Sequence, residues 1–125
     1  NWMLIGDAAA CVNPLNGEGI DYGLETGRLA SELLGCRDYS TAWPALLHAH
    51  YARGFSAARR LALLLTFPRF LPAPGPLAMR SSALMTVAVR VMGNFVTDED
   101  EDFVARVWRG AGRLSRRIDA REPFA

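Results

Sequence analysis

Two short stretches carry the residue types that could do chemistry. The first is Gly6-Asp7-Ala8-Ala9, which comes directly off the apolar run Trp2-Met3-Leu4-Ile5. A glycine there lets a ligand approach the backbone, and an ionised Asp7 only accepts hydrogen bonds, which suits vicinal hydroxyls such as those of a ribose or ribityl chain. In open α/β sheets ligands bind outside the carboxyl ends of the strands, which is where Asp7 would stand. The second stretch is Asn16-Gly17-Glu18-Gly19-Ile20, with two glycines where a helix begins. Unbonded N–H groups and the positive end of a helix dipole stabilise negative charge at such a point. Gly17 and Gly19 are a near miss for a pyrophosphate fingerprint. The spacing to Gly23 is one residue too long, and a loop precedes the pair where a strand is required, so a pyrophosphate bound in the usual way is not expected. Either stretch alone reads equally well as a tight turn with no ligand. Both within fourteen residues point to a ligand site.

The elements that must position these residues follow from periodicity. Trp2 to Ile5 reads as a buried strand, Ala8 to Gly17 as a loop with turn signals at Asn13-Pro14 and Asn16-Gly17, and Glu18 to about Leu34 as a helix capped by Gly35. Ile20, Leu24 and Gly27 or Arg28 share one face of that helix, which Leu29-Ala30 and Leu33-Leu34 extend. A second helix starts from Ser40 or Thr41, with Pro44 in its first turn. Leu47, Tyr51, Phe55, Ala58, Ala62 and Leu65 form its stripe, and Pro68 ends it. After the connector Pro72-Ala73-Pro74-Gly75-Pro76, a third helix is expected from Leu77 to Met92, closed by Gly93-Asn94. Thr97 and the acids from Asp98 to Asp102 open a fourth helix with Phe103, Val107 and Leu114 on its apolar face, which Gly110 and Gly112 interrupt. The fold class is therefore α/β and predominantly helical, with no internal repeats.

Composition narrows the class. The 125 residues are room for one small domain, and 50% hydrophobic with 22% charged residues excludes disorder. A net charge of +1 argues against a nucleic-acid partner. All 14 basic residues are arginine. Two cysteines, Cys11 and Cys36, are too few for a disulfide scaffold and suit a reducing compartment. There is no signal-peptide pattern and no apolar run of about 18 residues that would span a bilayer. An apolar strand at the very start, with no partner strand after it, reads as the C-terminal piece of a longer protein. From Tyr39 to Thr97 there are six arginines and no acidic residue. Interleaved with Leu61 to Leu65, Phe67, Phe70 and Leu71, this stretch suits an ordinary amphipathic layer, an anionic membrane surface or the lining of an apolar tunnel. The remaining candidates have plain readings. His48 and His50 point apart on a helix and share no metal. Cys11 is a small buried thiol, and Trp43, Trp108, Phe67 and Phe70 are core. The acidic run from Asp98 to Asp102 lacks the central glycine and terminal glutamate of a calcium loop and reads as a helix start, so no metal site is expected.

Gly6-Asp7-Ala8-Ala9, then Asn13-Pro14-Leu15-Asn16-Gly17-Glu18-Gly19-Ile20, then Glu25-Thr26-Gly27-Arg28-Leu29-Ala30 closely resembles the second flavin motif of the geranylgeranyl reductase family. These are FAD-dependent oxidoreductases related to aromatic-ring flavin monooxygenases. The likeness covers about the first 34 residues, and the Arg-rich, Lys-free composition is similar to that of the family's actinobacterial polyprenyl reductases, which act on menaquinone. The resemblance implies that residues 1–36 are the last strand, turn and helix of a Rossmann-like FAD-binding domain and that 37–125 are a helical C-terminal region. It implies that Asp7, beside Gly6, bonds the ribityl chain of FAD, that Pro14 sits beside the isoalloxazine, and that the backbone of Gly17, Glu18, Gly19 and Ile20 faces the flavin N1–C2=O edge. The unit that grips the ADP half of FAD is absent from the sequence, so this piece alone is not expected to hold FAD tightly or to be active, and no catalytic residue is assigned in it. The activity implied is hydride delivery to a C=C bond of a polyprenyl chain, of geranylgeranyl or menaquinone type, with a reduced nicotinamide or another donor reducing FAD. The implied setting is cytoplasmic, peripheral on the inner face of the cell membrane. A long channel of Leu, Phe and Met would suit that substrate. A compact polar pocket would suit an aromatic hydroxylase on the same scaffold, and an absence of flavin would leave a non-enzymatic membrane-surface module.

Overall fold

The computed structural model describes residues 2–97, 99–120 and 124. One 3₁₀ turn, Gly6–Ala9, precedes five helices: α1 Ile20–Glu32, α2 Tyr39–Thr66, α3 Gly75–Met79, α4 Ser82–Met92 and α5 Phe103–Arg116. The chain is predominantly helical, as expected, but Trp2 to Ile5 forms no strand, and none occurs among the described residues. A strand exists only through a ladder with a neighbour. Here the segment is held instead by a side chain: the indole Nε1 of Trp43 donates to the Leu4 carbonyl at 2.7 Å.

The core lies between α1 and α2. Tyr22 meets Phe55 and Tyr51 edge-on, at ring-centroid distances of 5.1 and 5.4 Å, and Tyr51 stacks on Phe55 at 5.6 Å. Cys11, Leu29, Trp43 and Leu47 complete the cluster. Of the expected stripe on α2, Leu47, Tyr51, Phe55 and Ala58 are buried, whereas Ala62 and Leu65 are half-buried. On α1 the buried face is Tyr22, Thr26 and Leu29, while Ile20 and Leu24, expected inside, are 81% and 72% exposed. Positions 22, 26 and 29 follow helical spacing as well as positions 20 and 24 do, and the large Tyr22 ring meeting two α2 aromatics selects the former.

Caps account for the other differences. Asp38, not Ser40 or Thr41, starts α2 by accepting from the Ser40 N–H at 2.8 Å. Pro44 therefore lies in the second turn, where its missing N–H removes one helical hydrogen bond. Thr66 is the last residue of α2, with Phe67 already extended ahead of Pro68. The single helix expected from Leu77 to Met92 is broken, because Ser81 adopts an extended conformation and accepts from the Leu84 N–H at 3.3 Å, starting α4 afresh. Asp102 caps α5 through the Ala105 N–H at 2.9 Å, so the preceding acids lie outside the helix; Asp98 is outside the described residues. Asp100 and Asp102 both pair with Arg90.

Gly110 and Gly112 do not interrupt α5. The Arg53 carbonyl lies 2.8 Å from where a Cβ on Gly112 would stand, so the glycine is what lets α5 close on α2. Beside this contact the Ser56 hydroxyl lies 2.6 Å from the Ser115 hydroxyl and 2.5 Å from Asp119 Oδ2, and Arg60 donates to Ser115 Oγ at 2.6 Å and to Asp119 at 3.0 Å. The Ser56 hydrogen bond, assisted by the arginines, holds the Asp119 carboxyl below its usual range. A depressed folded value means stability present above the unfolded carboxylate pKa of about 3.9 and lost as pH falls below it toward the folded value. Asp119→Asn is expected to flatten that part of the acid-unfolding profile, measured by circular dichroism against pH.

Candidate functional site

The expected ligand loop is built as a self-bonded unit. Asn13 is buried; its Oδ1 accepts from the Leu15 N–H at 2.9 Å, and its carbonyl accepts from Gly17 N–H at 2.9 Å. Its own N–H donates to the Glu18 carbonyl at 2.8 Å, closing the loop at its base. The Asn16 side chain accepts from Glu18 N–H at 3.0 Å and donates to the Met92 carbonyl at 3.0 Å. Asn94 accepts from Asn13 Nδ2 at 3.3 Å and from the Tyr22 hydroxyl at 3.1 Å. The loop is thus tied to the C-terminal end of α4, a long-range link that the sequence reading did not contain.

The Gly6-Asp7 turn is fixed against α1. Gly6 has φ +54° and is buried, and a Cβ there would stand 3.2 Å from the Gly23 Cα. Both facts require glycine. Its N–H donates to Thr26 Oγ1 at 2.9 Å, and that hydroxyl donates onward to the Tyr22 carbonyl at 2.6 Å. Thr26 is the residue that sequence reasoning missed. It stood in the quoted motif without a role, and its signal is a hydroxyl at a buried helical position. Thr26→Val keeps the shape but strands the Gly6 N–H, so a loss of about 1–3 kcal/mol is expected, read as a lower urea midpoint with an unchanged m value.

These supports bring Asp7 to the start of α1. Its Oδ1 lies 2.6 Å from where a Cβ on Gly19 would be, so the glycine leaves the cradle that the carboxylate occupies. Gly19 is the N-cap of α1, and no side chain caps that end. Asp7, Pro14, Gly17 and Ile20 are exposed, and Glu18 and Gly19 half-buried, so all seven residues but Gly6 present surface. Asp7, Glu18 and Asp21 surround the helix start with carboxylates. Such a site suits a ligand offering hydroxyl donors to Asp7 and only partial negative charge to the N–H groups, and it disfavours a phosphate. A flavin's ribityl chain and ring edge fit that donor set.

The plain readings divide. Cys11 is fully buried, and burial followed by the nearby Glu25 pushes its thiol up to about 11, which makes it unreactive at neutral pH. His48 Nε2 lies 3.1 Å from an Arg116 nitrogen and His50 Nδ1 lies 3.0 Å from the Leu46 carbonyl; among the described residues no cluster could hold a metal. Trp43 is core, whereas Trp108 and Phe70 are half-buried and Phe67 is exposed. Neither of two clefts among the described residues is lined as a channel of Leu, Phe and Met. One cleft of about 610 Å³ runs between the N-terminal segment and α2, along Trp2, Leu4, Trp43, Leu47 and Phe124. Another, of about 470 Å³, is mixed in character. The leucines and methionines of α3 and α4, with Val87 and Val89, are exposed, Val91 is half-buried, and neither helix contains a buried residue. No helix among the described residues is long and apolar enough to cross a membrane.

The sequence likeness over the whole chain defines the class: the chain belongs to the geranylgeranyl-reductase-like family. It is 77% identical, over its whole length, to the menaquinone reductase of Mycolicibacterium smegmatis and 74% identical to that of Mycobacterium tuberculosis. It spans 31% of the length of each. A shorter match, 52% identical over 44 residues, covers 32% of this chain and 11% of digeranylgeranylglycerophospholipid reductase 3 from Methanosphaera stadtmanae. No protein-family model and no solved structure matches the chain.

Proposed function

We propose that this chain is the C-terminal part of an FAD-dependent oxidoreductase that saturates C=C bonds of a polyprenyl chain carried by a lipid quinone. The observation that carries the reading is the Asp7 carboxylate seated against Gly19 at the uncapped start of α1. The likeness to menaquinone reductases and to a digeranylgeranylglycerophospholipid reductase supports it, since both names describe reductases of molecules with polyprenyl chains. Bound FAD supplies the hydride, having been reduced by a nicotinamide or another donor. The residues of this chain position it. Asp7 accepts from the ribityl hydroxyls, with Gly6 and Thr26 holding its turn in place. Pro14 and the backbone from Gly17 through Glu18 and Gly19 to Ile20, at the dipole end of α1, would hold the isoalloxazine. The glycine loop gives electrostatic support and contributes no proton.

The apolar surface of α3, α4 and the residues before them supports a peripheral seat on a bilayer, where such a substrate resides. Leu77 is 68% and Met79 77% exposed, with Arg69 and Arg80 alongside and no acid between Tyr39 and Thr97. The test is an absorption spectrum of a full-length reductase carrying this segment, before and after chemical reduction, followed by an anaerobic assay. A two-banded flavin spectrum that bleaches, and a two-hydrogen mass gain in a polyprenyl quinone, are the expected results. A colourless protein that takes up no added FAD overturns the proposal.

A further inference from the structure

A second cleft opens one turn along α1 from the glycine loop, between α1, α2 and α5, with a volume of about 470 Å³. That lies in the size range of small-molecule sites, roughly 300–1,000 Å³. Tyr51 in its lining is buried, Trp108, Arg109 and Asn94 are half-buried, and Arg53 and Glu25 are exposed. The Tyr51 hydroxyl donates to Glu25 at 2.8 Å, and burial together with that carboxylate holds the phenol proton well above its usual range. Tyr51 therefore offers a ligand its ring and not its proton. Arg109 is steadied by donating to the Asp100 carbonyl at 2.7 Å. Glu25 and Glu99 stand against Arg53 and Arg109, so the lining is balanced in charge. A balanced lining disfavours a diphosphate, while aromatic faces and guanidinium donors suit an uncharged flat ring with carbonyl oxygens.

The position adds a second argument. Asn94 lines this cleft and also bonds Asn13 of the glycine loop, so the cleft adjoins the loop without being part of it. An enzyme that reduces a double bond in a prenyl chain must hold the head of its substrate away from the reacting bond. The geometry points to this cleft as the seat of a quinone head, a neutral carbonyl-bearing aromatic ring resting on Trp108 and Tyr51 with its oxygens toward Arg53 and Arg109. The inference rests on the polyprenyl quinone reading above and adds where the head sits.

The test uses a full-length reductase carrying this segment and 2-methyl-1,4-naphthoquinone, a head group with no chain, titrated calorimetrically. Trp108→Ala removes an aromatic face, and a loss of about tenfold in affinity is expected. Arg53→Ala, on an exposed residue that does not threaten the fold, is expected to weaken binding about tenfold as well. Flavin content should be the same in parent and variants, and a prenyl alcohol without the ring should bind all three equally. Unchanged naphthoquinone affinity in Arg53→Ala overturns the inference, as does a cleft that takes a nicotinamide nucleotide and no quinone. A parent without flavin whose naphthoquinone affinity still depends on Arg53 supports the cleft while removing the flavin reading, so the two fail separately.

Discussion

Gly112→Val is expected to lower the melting temperature by roughly 12–24 °C. The reason is where the new atoms must go. A Cβ at this position would stand 2.8 Å from the Arg53 carbonyl oxygen and 3.2 Å from its carbon, and both are backbone atoms in the middle of α2. A side chain could rotate away, but a helix backbone cannot, so α5 must lift off α2. That lift also stretches the bonds joining Ser56 and Arg60 to Ser115 and Asp119. Overpacking of this kind costs about 3 kcal/mol, and for a small domain each kcal/mol moves the midpoint by about 4–8 °C. Gly110 supplies the internal comparison, because a Cβ there meets nothing within 4 Å. Gly110→Ala should be neutral or stabilising by up to about 1 kcal/mol through helix propensity. Thermal circular dichroism on both variants checks the pair, and equal melting would mean that α5 does not approach α2 this closely.

Asp7→Ala is expected to weaken FAD retention in a full-length reductase by about tenfold to a hundredfold. A hydrogen bond to an ionised acceptor contributes about 1.5–3 kcal/mol, which converts to that range. Asp7 is exposed, and its turn is held by Gly6 and Thr26, so stability should change by less than about 0.5 kcal/mol. The loss therefore reads as a binding effect. Asp7→Asn keeps an acceptor and should fall between parent and Asp7→Ala. Flavin released per protein, measured by fluorescence after denaturation, decides it; undiminished flavin in Asp7→Ala removes the carboxylate from the site.

What could be read in the sequence was local. The turn residues of the glycine loop, the first four positions of the α2 stripe and the stop before Pro68 each depend on neighbours a few positions away and stand as read, while Ala62 and Leu65 at the end of the stripe are only half-buried. The failures came where competing local choices were settled by distant contacts. Two faces of α1 were nearly equivalent, and the aromatic rings of α2 decided between them. Gly112 looked like a helix breaker because its low propensity is visible and the Arg53 carbonyl against it is not. The Trp2–Ile5 segment has strand composition, but a strand needs a ladder, and the described chain supplies only the Trp43 indole. For the site, Gly19 at the helix start was legible, whereas Asp7, read at the end of a strand, stands in a 3₁₀ turn, and Asn94 and Thr26, which hold the loop and the turn, announce themselves only in three dimensions.

The tie between α4 and the glycine loop links two equilibria. With no buried residue, α4 is the sort of segment that opens locally without global unfolding, and its amides should exchange with solvent well before those of α2. Its C-terminal end is nevertheless bonded to the loop through Met92 and Asn94, so each opening releases Asn13 and Asn16 from their partners. By reciprocity, whatever steadies the loop must slow hydrogen exchange along α4, by the same factor by which a closed α4 favours the loop's occupant. A surface helix with no core of its own would thus report, through its exchange rate, on whatever binds at the loop.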